Sequence, residues 1–565
     1  MRLLVQGVRA GFILLAVASL SSATALAQSA DTILRNGKIY TIDKAFGTAQ
    51  AVAIRDGRFI AVGDEASVMK EAGPNTQVID LGGRTVVPGI TDTHLHQSLA
   101  ATNQPAVQLI EARSIADVQK RIGDRAANTP AGEWITASSG WHESLLSEGR
   151  LPTRYELDTA APNNPVFIPR GGHVVAINSK ALEISGITKD TKNPPGGIIV
   201  RDPANGEATG VLLESAAFFA RKVQPPPPAP ERFLALLKSQ MQALNALGIV
   251  GVVEPGLDER LFALYQRMRD AGDITVRTDL LYRAITPDQV RKGLAFKSMK
   301  NDDMLRFVGF KFLLDGGVEG ARMREPYRIV PGEQPDKDYR GLMLLPPGGE
   351  EEWGEALQLV ADAGLQAQTH AVGDETIDTV VRAYEKVNAT RPIRDLRWTV
   401  MHIFLPSDAA LKTMADIGIM ATVQDHAVLL GHNQRRWWGD ERAAYAIPIR
   451  KIIDAKIMTG GGSDGPVVPF DPFQSMWWMT TRMTLNGYAL GPEQAITPRE
   501  ALTLYTINNA IIMGVEKDRG SIETGKLADL VVLSKDILTI PRDEIRDTKA
   551  MMTLLGGKVV HRVGI

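Results

Sequence analysis

The chain has 565 residues, with 63 Lys and Arg against 65 Asp and Glu, nine His and no Cys, and its formal net charge is −2. Without cysteine it can form no disulfide, no thiolate nucleophile and no cysteine-ligated metal site, so a metal would have to be bound by histidine, carboxylate or a modified lysine. The balanced charge gives no reason to expect nucleic acid or an anionic membrane as a partner, and 44% hydrophobic with 23% charged residues excludes disordered, collagen-like and coiled-coil chains.

The first 27 residues are typical of a secretory signal peptide. Two arginines open the segment, Phe12–Leu20 is an apolar run too short to cross a bilayer, and Ala25-Leu26-Ala27 supplies a small-residue cleavage site. We expect cleavage after Ala27 and a periplasmic or secreted protein, with a retained membrane anchor as the alternative. The mature chain has no second apolar run long enough for a membrane span, so no membrane partner is expected after cleavage.

Short strand-like runs at both ends of the mature chain predict one shared β-sandwich. Between about Asp31 and Val87, apolar and polar residues alternate and turn residues separate the runs. The C-terminal part has the same pattern in Ala528–Leu533 and Gly557–Val560. The sequence therefore favours a small sandwich built from both chain ends.

Between these ends, apolar strand-like runs alternate with helical stretches, the pattern of a parallel α/β barrel. There are eight candidate strands, the number that a (β/α)8 TIM barrel needs, and they end near His96, Glu254, Arg283, Asp315, His370, His402, Gln424 and Asp464. The stretch between the first two is too long for one crossover and predicts a large insertion after strand 1. The expected units are a signal peptide, a sandwich, and a barrel with its insertion: residues 1–27, 28–87 with 516–565, and 88–515 with about 97–230 inserted.

Two histidines, His94 and His96, close the first predicted barrel strand. Residues i and i+2 of a strand point to the same face, so the two imidazoles can reach one metal ion. Taken alone, the pair also fits two solvated loop residues at the end of a strand.

Polar residues also end three later strands, at His370, His402 and Asp464. TIM barrels carry their catalytic side chains at the C-terminal strand ends, where these residues fall. Each has a structural alternative: a core histidine bonded to a backbone carbonyl, or, for Asp464, a turn residue before Gly-Pro. Their occurrence together on strands one, five, six and eight favours a common site.

Lys311 lies within an apolar run, Val308–Leu314. A buried lysine is unfavourable unless it is paired or chemically altered. Its neutral amine can react with carbon dioxide to give a carbamate, whose two oxygens could bridge two metal ions. The alternative is an ion pair with Asp315 or Glu319.

The order and strand positions of these residues resemble the amidohydrolase superfamily of metal-dependent hydrolases. Within it, the long insertion, the Lys311–Gly316 segment and Ser463-Asp464-Gly465-Pro466 resemble the YtcJ-like branch (amidohydrolase family 3), which includes N-substituted formamide deformylase. The resemblance covers nearly the whole mature chain. One departure is Gln424-Asp425-His426, where Gln-Pro is more usual, and it touches no expected metal ligand.

The resemblance implies a centre of two divalent metal ions, usually zinc. The implied ligands are His94, His96 and Asp464 for the more buried ion, His370 and His402 for the other, and carboxylated Lys311 as the bridge between them together with a hydroxide. Asp464 would then be the catalytic residue, taking the proton of the hydroxide as general base and returning it to the leaving nitrogen as general acid.

We therefore expect an exported metal-dependent amidohydrolase that cleaves a C–N bond other than a peptide bond, in an amide, formamide or N-acyl compound. The same site would serve an ester or lactone hydrolase or a heterocycle deaminase, and a non-catalytic periplasmic binding protein is a third interpretation. The expected partner is a small-molecule substrate, with a homo-oligomer left open. Substrate contacts are expected at Trp141 and His173 in the insertion, whose alternative role is loop packing, and at Asp315.

Overall fold

The computed structural model describes residues 29–333 and 336–565. The expected signal peptide lies outside the described residues. Among the described helices, none combines the length and the apolar character that a membrane span requires.

The N-terminal part consists of short strands around one short helix. Asp56 (φ 50°) and Gly57 (φ 76°) form the turn of one hairpin, and both have the left-handed backbone that a two-residue hairpin turn of this kind needs. The elements are β1 (Thr32–Arg35), β2 (Lys38–Tyr40), β3 (Thr48–Ala49), β4 (Ala51–Arg55), β5 (Arg58–Gly63), α1 (Glu65–Val68), β6 (Gln77–Asp80) and β7 (Thr85–Pro88).

The first barrel strand, β8 (Ile90–Asp92), is followed by the insertion. The insertion contains α2 (Gln97–Asn103), α3 (Ile115–Ala126), β9 (Ile135–Thr136), α4 (Arg154–Ala160), β10 (Val166–Arg170), β11 (Val174–Ile177), α5 (Ser179–Ile184), β12 (Gly197–Arg201), β13 (Ala208–Glu214) and α6 (Ala217–Arg221). Its five strands form a sheet of their own, in the order β9-β10-β11-β13-β12.

The rest of the barrel alternates strands with helices. In chain order the elements are α7 (Pro230–Ala246), β14 (Ile249–Leu257), α8 (Glu259–Asp270), β15 (Arg277–Arg283), α9 (Pro287–Gly293), β16 (Leu305–Leu313), α10 (Gly349–Asp362), β17 (Gln366–Ala371), α11 (Asp374–Thr390), β18 (Thr399–His402), α12 (Asp408–Ile417), β19 (Met420–Gln424), α13 (Ala427–Trp438), α14 (Asp440–Tyr445), α15 (Ile449–Asp454) and β20 (Thr459–Gly462). After the barrel come α16 (Pro472–Thr481), α17 (Pro498–Leu504), α18 (Ile507–Met513), β21 (Leu530–Leu533), β22 (Ala550–Leu555) and β23 (Lys558–Arg562).

Eight parallel strands form one sheet, in the order β8-β14-β15-β16-β17-β18-β19-β20. Its two edge strands meet, because the amide of Thr93 donates to the carbonyl of Gly461 (3.2 Å) and that of Asp464 to the carbonyl of His94 (2.6 Å). The strands are almost wholly buried, as expected where helices cover the outside and side chains fill the inside. The sheet is a nearly closed parallel barrel, and the predicted fold class is confirmed.

The first and last barrel strands are shorter than expected. We predicted strand ends near His96 and Asp464, but β8 ends at Asp92 and β20 at Gly462. The chain turns where the Asp92 carboxylate accepts from the amides of His94 (2.9 Å) and Ser463 (3.1 Å). The predicted ligands at these two ends therefore lie on the loops just past the strands.

Strands from both chain ends pair in a six-stranded sheet, β3-β2-β7-β21-β22-β23. It packs against a four-stranded sheet, β6-β1-β4-β5, through a buried apolar cluster that includes Leu34, Phe59 and Val532. Arg277 at the start of β15 makes a buried ion pair with Asp529 beside β21 (Nε to Oδ2, 2.7 Å), which joins the barrel to this sheet pair.

The insertion lies against the segments that follow the last two barrel strands, the start of α13 and the loop after β20. The Ser139 hydroxyl donates to the carbonyl of Pro466 (2.9 Å), and the Ser144 hydroxyl donates to the carbonyl of Leu429 (3.1 Å). Because loops after parallel strands gather at one end of a barrel, the insertion covers the end at which the predicted ligands lie.

Candidate metal and active site

Several side chains that the sequence predicts as ligands meet at the C-terminal end of the barrel. His94, His402 and Asp464 form a buried group whose possible ligand atoms all lie within 4.8 Å of one another. His402 (φ 72°) and Asp464 (φ 61°) both have a left-handed backbone, which costs a non-glycine residue on the order of 1–3 kcal/mol. The surrounding fold therefore holds these two side chains where their own backbone preference would not place them.

Asp464 lies among imidazoles on both of its oxygens. Its Oδ1 is 3.1 Å from Nε2 of His94 and 3.2 Å from Nε2 of His96, and its Oδ2 is 2.9 Å from Nε2 of His426. Burial opposes ionisation of the carboxyl, but these histidines outweigh it and hold the pKa of Asp464 well below its usual range. The group is therefore an ionised carboxylate at neutral pH.

His402 is fixed by Gln424 at the end of the neighbouring strand. Its Nδ1 is 2.7 Å from Gln424 Oε1 and donates its proton to that oxygen, so the lone pair of Nε2 is available as a ligand. The ring centroid lies 4.7 Å from that of His94 and 4.4 Å from that of His370. Burial and the neighbouring histidines keep the pKa of His402 well below its usual value, so the ring is neutral.

Asp315 is placed differently from our expectation of a substrate contact. It is fully buried, and its carboxylate accepts from the amides of Val372 (3.1 Å) and Gly373 (2.8 Å). Its Oδ1 also lies 3.3 Å from Nε2 of His370, which is 3.1 Å from the carbonyl of Gly316. Asp315 therefore orients His370 and the start of α11. It is not among the residues that line the two cavities described below.

Lys311 is buried beside the same histidines. Its ammonium nitrogen lies 2.8 Å from Sδ of Met401, and among the residues that the structure describes no carboxylate is within ion-pair distance of it. The alternative ion pair with Asp315 or Glu319 is thus not formed. Burial lowers the pKa of Lys311 to about 7.

Two cavities meet at these residues. The smaller, of about 510 Å³, is mostly apolar; its apolar side chains include Trp141, Val318, Phe404, Leu429, Leu430 and Val468. The larger, of about 1410 Å³, extends from His94, His96 and Lys311 towards the insertion. His173, His370, His402 and Asp464 line both cavities, so a molecule bound at these residues can extend in two directions.

The structure places both predicted contacts of the insertion, Trp141 and His173, on the cavity wall. The indole of Trp141 is buried and donates to the carbonyl of Pro169 (2.9 Å). His173 Nδ1 is 2.8 Å from Oε2 of Glu214. Burial opposes protonation of His173, but Glu214 and more distant carboxylates raise its pKa to about 9, so it is a cation at neutral pH.

Residues 77–561 match the amidohydrolase family. The chain belongs to this family. Over 553 residues it is 32% identical to the N-substituted formamide deformylase of Arthrobacter pascens, covering 94% of this chain and 98% of that protein. It is also 27% identical to the putative amidohydrolase YtcJ of Bacillus subtilis over 552 residues, or 94% of this chain and 99% of that one.

Solved structures show the same fold. An uncharacterised metal-dependent hydrolase from Pyrococcus horikoshii superposes with a TM-score of 0.70 at 23% identity, covering 90% of this chain and 99% of that chain. The zinc complex of atrazine chlorohydrolase from Arthrobacter aurescens gives a TM-score of 0.51 at 15% identity, with 94% and 95% covered. The predicted family resemblance is confirmed by the match over residues 77–561 and by the formamide deformylase relative.

The donor set of this amidohydrolase fits a divalent metal ion. Neutral imidazoles and an ionised carboxylate are the ligands of catalytic zinc sites, and burial lowers the pKa of His94 well below its usual value. A hydrogen bond on the second ring nitrogen, as Gln424 makes to His402, is what orients metal-binding histidines. In the structure His402 lies in one compact group with His94 and Asp464. The family resemblance had implied that His402 binds one ion and that His94 and Asp464 bind the other.

Sequence reasoning missed His426, which contacts Asp464. It lies two positions after the last residue of β19, so the rule that barrel catalytic residues follow the C-terminal strand ends would have identified it. We treated Gln424-Asp425-His426 only as a departure from the family pattern. The structure shows that this segment supplies two contacts to the candidate ligands.

A buried charged cluster beside the smaller cavity was also missed. Arg170 lies between Glu143 (Nε to Oε2, 2.9 Å) and Glu319 (Nη1 to Oε1, 2.5 Å), and all three side chains are buried. Arg170 and Glu143 belong to the insertion, whereas Glu319 follows β16. Long-range pairs of this kind leave no local pattern in a sequence. The cluster ties the insertion to the barrel next to the cavity.

Replacing Gln424 with Leu should weaken zinc binding by about 10- to 100-fold, because His402 loses the acceptor that fixes its ring. Competition with a chromophoric chelator measures this affinity. As a matched control, Gln240→Leu removes a buried amide that bonds Gln104 outside the site (2.9 Å) and should leave zinc affinity intact. Equal affinities in the Gln424 variant and the unchanged protein would contradict the orienting role.

Proposed function

We propose that this amidohydrolase cleaves a C–N bond in an amide, formamide or N-acyl compound. The main support for this proposal is the buried group of His94, His402 and Asp464 at the C-terminal end of an amidohydrolase barrel. The formamide deformylase relative, which matches over nearly its whole length, supports a C–N bond as the target. The alternative substrates, an ester, a lactone or a heterocycle, have no specific observation in their favour.

We propose two divalent metal ions, zinc in the first place, as cofactors. The side chains that would hold them are the compact group with its neighbours: His94, His96, His370, His402, Asp464 and, as a carbamate, Lys311. When bound, such ions lower the pKa of a water molecule from about 15.7 to about 7 and polarise a carbonyl group. Lys311 supports the bridging proposal by its position, since it is buried among these rings without an acidic partner.

In the proposed mechanism Asp464 moves the proton. Its ionised carboxylate accepts a proton from the attacking water as the oxygen adds to the substrate carbonyl. The same proton then passes to the leaving nitrogen when the C–N bond breaks, so the products are a carboxylic acid and an amine. His96 and His426 hold the carboxylate in place for both transfers through its two oxygens.

His173 is placed to bind the substrate carbonyl or the negative charge that develops on it. Glu214 holds Nδ1 of the ring, which leaves the proton of Nε2 for a ligand in the cavity. A cationic donor in a water-poor site stabilises an oxyanion strongly. Trp141 and its apolar neighbours restrict water on the other side of the reacting bond.

Export remains part of the proposal. The basic start, short apolar run and small-residue cleavage site of residues 1–27 support cleavage after Ala27 and a periplasmic or secreted enzyme.

Asp464→Asn should lower turnover by a factor on the order of 10³ or more, because an amide cannot accept the proton. The assay follows amine release from a panel of N-substituted formamides and N-acyl amino acids by the zinc-loaded enzyme. Asp471→Asn on the same loop is the control, since Asn replaces Asp well as the N-cap of α16 and activity should stay unchanged. Full activity of the Asp464 variant would overturn the assignment.

If Lys311 bridges two ions as a carbamate, Lys311→Ala should bind less metal and lose activity, and short carboxylic acids such as acetate should partly restore both. Mass spectrometry of the metal content and the amine assay measure the two effects. The exposed Lys297→Ala variant serves as control and should retain its metal. A Lys311→Ala protein with full metal content and activity would refute the bridge.

A further inference from the structure

The larger cavity carries two arginines that have no acidic partner. Arg221 ends α6 of the insertion and Arg283 ends β15, and both line the cavity together with Lys311. Arg221 donates to the carbonyl of Gly172 (3.0 Å) and stacks over Phe167. Within the described chain neither arginine forms a salt bridge.

Several other arginines at and around the barrel are paired with acids. Arg170 contacts Glu143 and Glu319, Arg277 contacts Asp529, and Arg306 contacts Asp279. Placing a guanidinium in a partly buried position without a carboxylate is unfavourable. Arg221 is half-buried without such a partner, Arg283 is exposed, and both line the larger cavity at the candidate metal site.

Each arginine is linked to a residue next to, or within, the candidate site. Arg283 lies opposite Lys311 in the register between β15 and β16, one strand away from the candidate bridge. Arg221 reaches Gly172, the residue before His173. Two acidic residues line this cavity: Asp464 belongs to the candidate metal group, and Glu214 is engaged by His173 and by the amide of Gly317 (3.1 Å). With Arg221, Arg283 and cationic His173, the lining carries an excess of positive charge.

The smaller cavity is lined mainly by apolar side chains, in contrast to the cationic lining of the larger cavity. Trp141, Phe404 and Leu429 make its wall largely apolar, and it joins the larger cavity at His370, His402 and Asp464. A substrate whose scissile bond lies at these three residues would extend one arm into each cavity. One arm would meet apolar side chains and the other would meet Arg221 and Arg283.

We propose that the substrate is an anionic amide with a carboxylate bound between Arg221 and Arg283 and an apolar group in the Trp141 cavity. Guanidinium groups match carboxylates in charge and in planar geometry. N-acyl amino acids with an aliphatic or aromatic acyl group have this form. Hydrolysis adds the hydroxyl of water to the acyl carbon and its hydrogen to the departing amine. The inference rests on the proposed C–N bond hydrolysis.

The test compares amides that differ only in charge. The first pair is N-hexanoylglycine, whose carboxylate lies on the amine side of the amide, and its neutral counterpart N-hexanoylglycinamide. The second pair is N-hexylsuccinamic acid, whose carboxylate lies on the acyl side, and its neutral counterpart N-hexylsuccinamide. With the zinc-loaded enzyme, kcat/KM for the better anionic amide should exceed that of its neutral counterpart by about 10- to 100-fold, the range of a charge-assisted hydrogen bond. Equal or better hydrolysis of the neutral amides would overturn the proposal and leave C–N hydrolysis standing.

Substitutions of the two arginines test whether they cause the preference for anionic amides. Arg283→Gln and Arg221→Gln should each reduce the anionic-to-neutral ratio of kcat/KM by about tenfold or more, and Arg283→Lys should retain part of it. Arg232→Gln, exposed on α7, is the matched control and should keep the ratio. Ratios in the two cavity variants equal to that of the control would contradict the assignment.

A binding measurement separates this proposal from the proposed function. If no amide is hydrolysed, the proposed function fails, and calorimetric titration with N-hexanoylglycine still tests the arginines. Binding to the unchanged protein that weakens in Arg221→Gln and Arg283→Gln supports the carboxylate site. No binding, or binding that is the same in all variants, overturns it.

Discussion

The junction of the first and last barrel strands is the constraint on which the site depends. There the amide of Asp464 donates to the carbonyl of His94 (2.6 Å), and buried Asp92 accepts from the amides of His94 and Ser463. These bonds bring two segments that are far apart in the chain to one point. As a result, the side chains of His94 and Asp464 meet at 3.1 Å. Burial raises the pKa of Asp92 to about 7, so the junction retains an acid whose charge is partly suppressed.

The candidate site is built from two parts of the chain, the barrel and the insertion. The barrel supplies the candidate ligands from its C-terminal strand ends and from the loops just past its first and last strands. The insertion supplies Trp141, Arg170 and His173, and it meets the barrel through contacts such as the Ser139 bond to Pro466. Relatives with the same barrel can therefore differ in substrate through the insertion and the loops, because the reacting centre is set by the strands.

Local patterns were enough to predict the barrel and most of the side chains that meet at the candidate site. Buried parallel strands form continuous apolar runs, so all eight were visible, and a polar residue at the end of such a run stands out, as His370 and His402 do. What depends on contacts between distant segments was not visible. The sequence could not show that Asp315 turns to the amides of Val372 and Gly373, or that Arg170 joins Glu143 to Glu319.

Anomalous diffraction at the zinc absorption edge from crystals of the zinc-loaded protein tests whether zinc binds at the candidate site. If it does, a strong peak should lie about 2.0–2.2 Å from donor atoms of the group formed by His94, His402 and Asp464. A second peak is predicted beside it, within reach of His370 and Lys311. Zinc bound elsewhere, with no peak at this group, would contradict the proposed metal site.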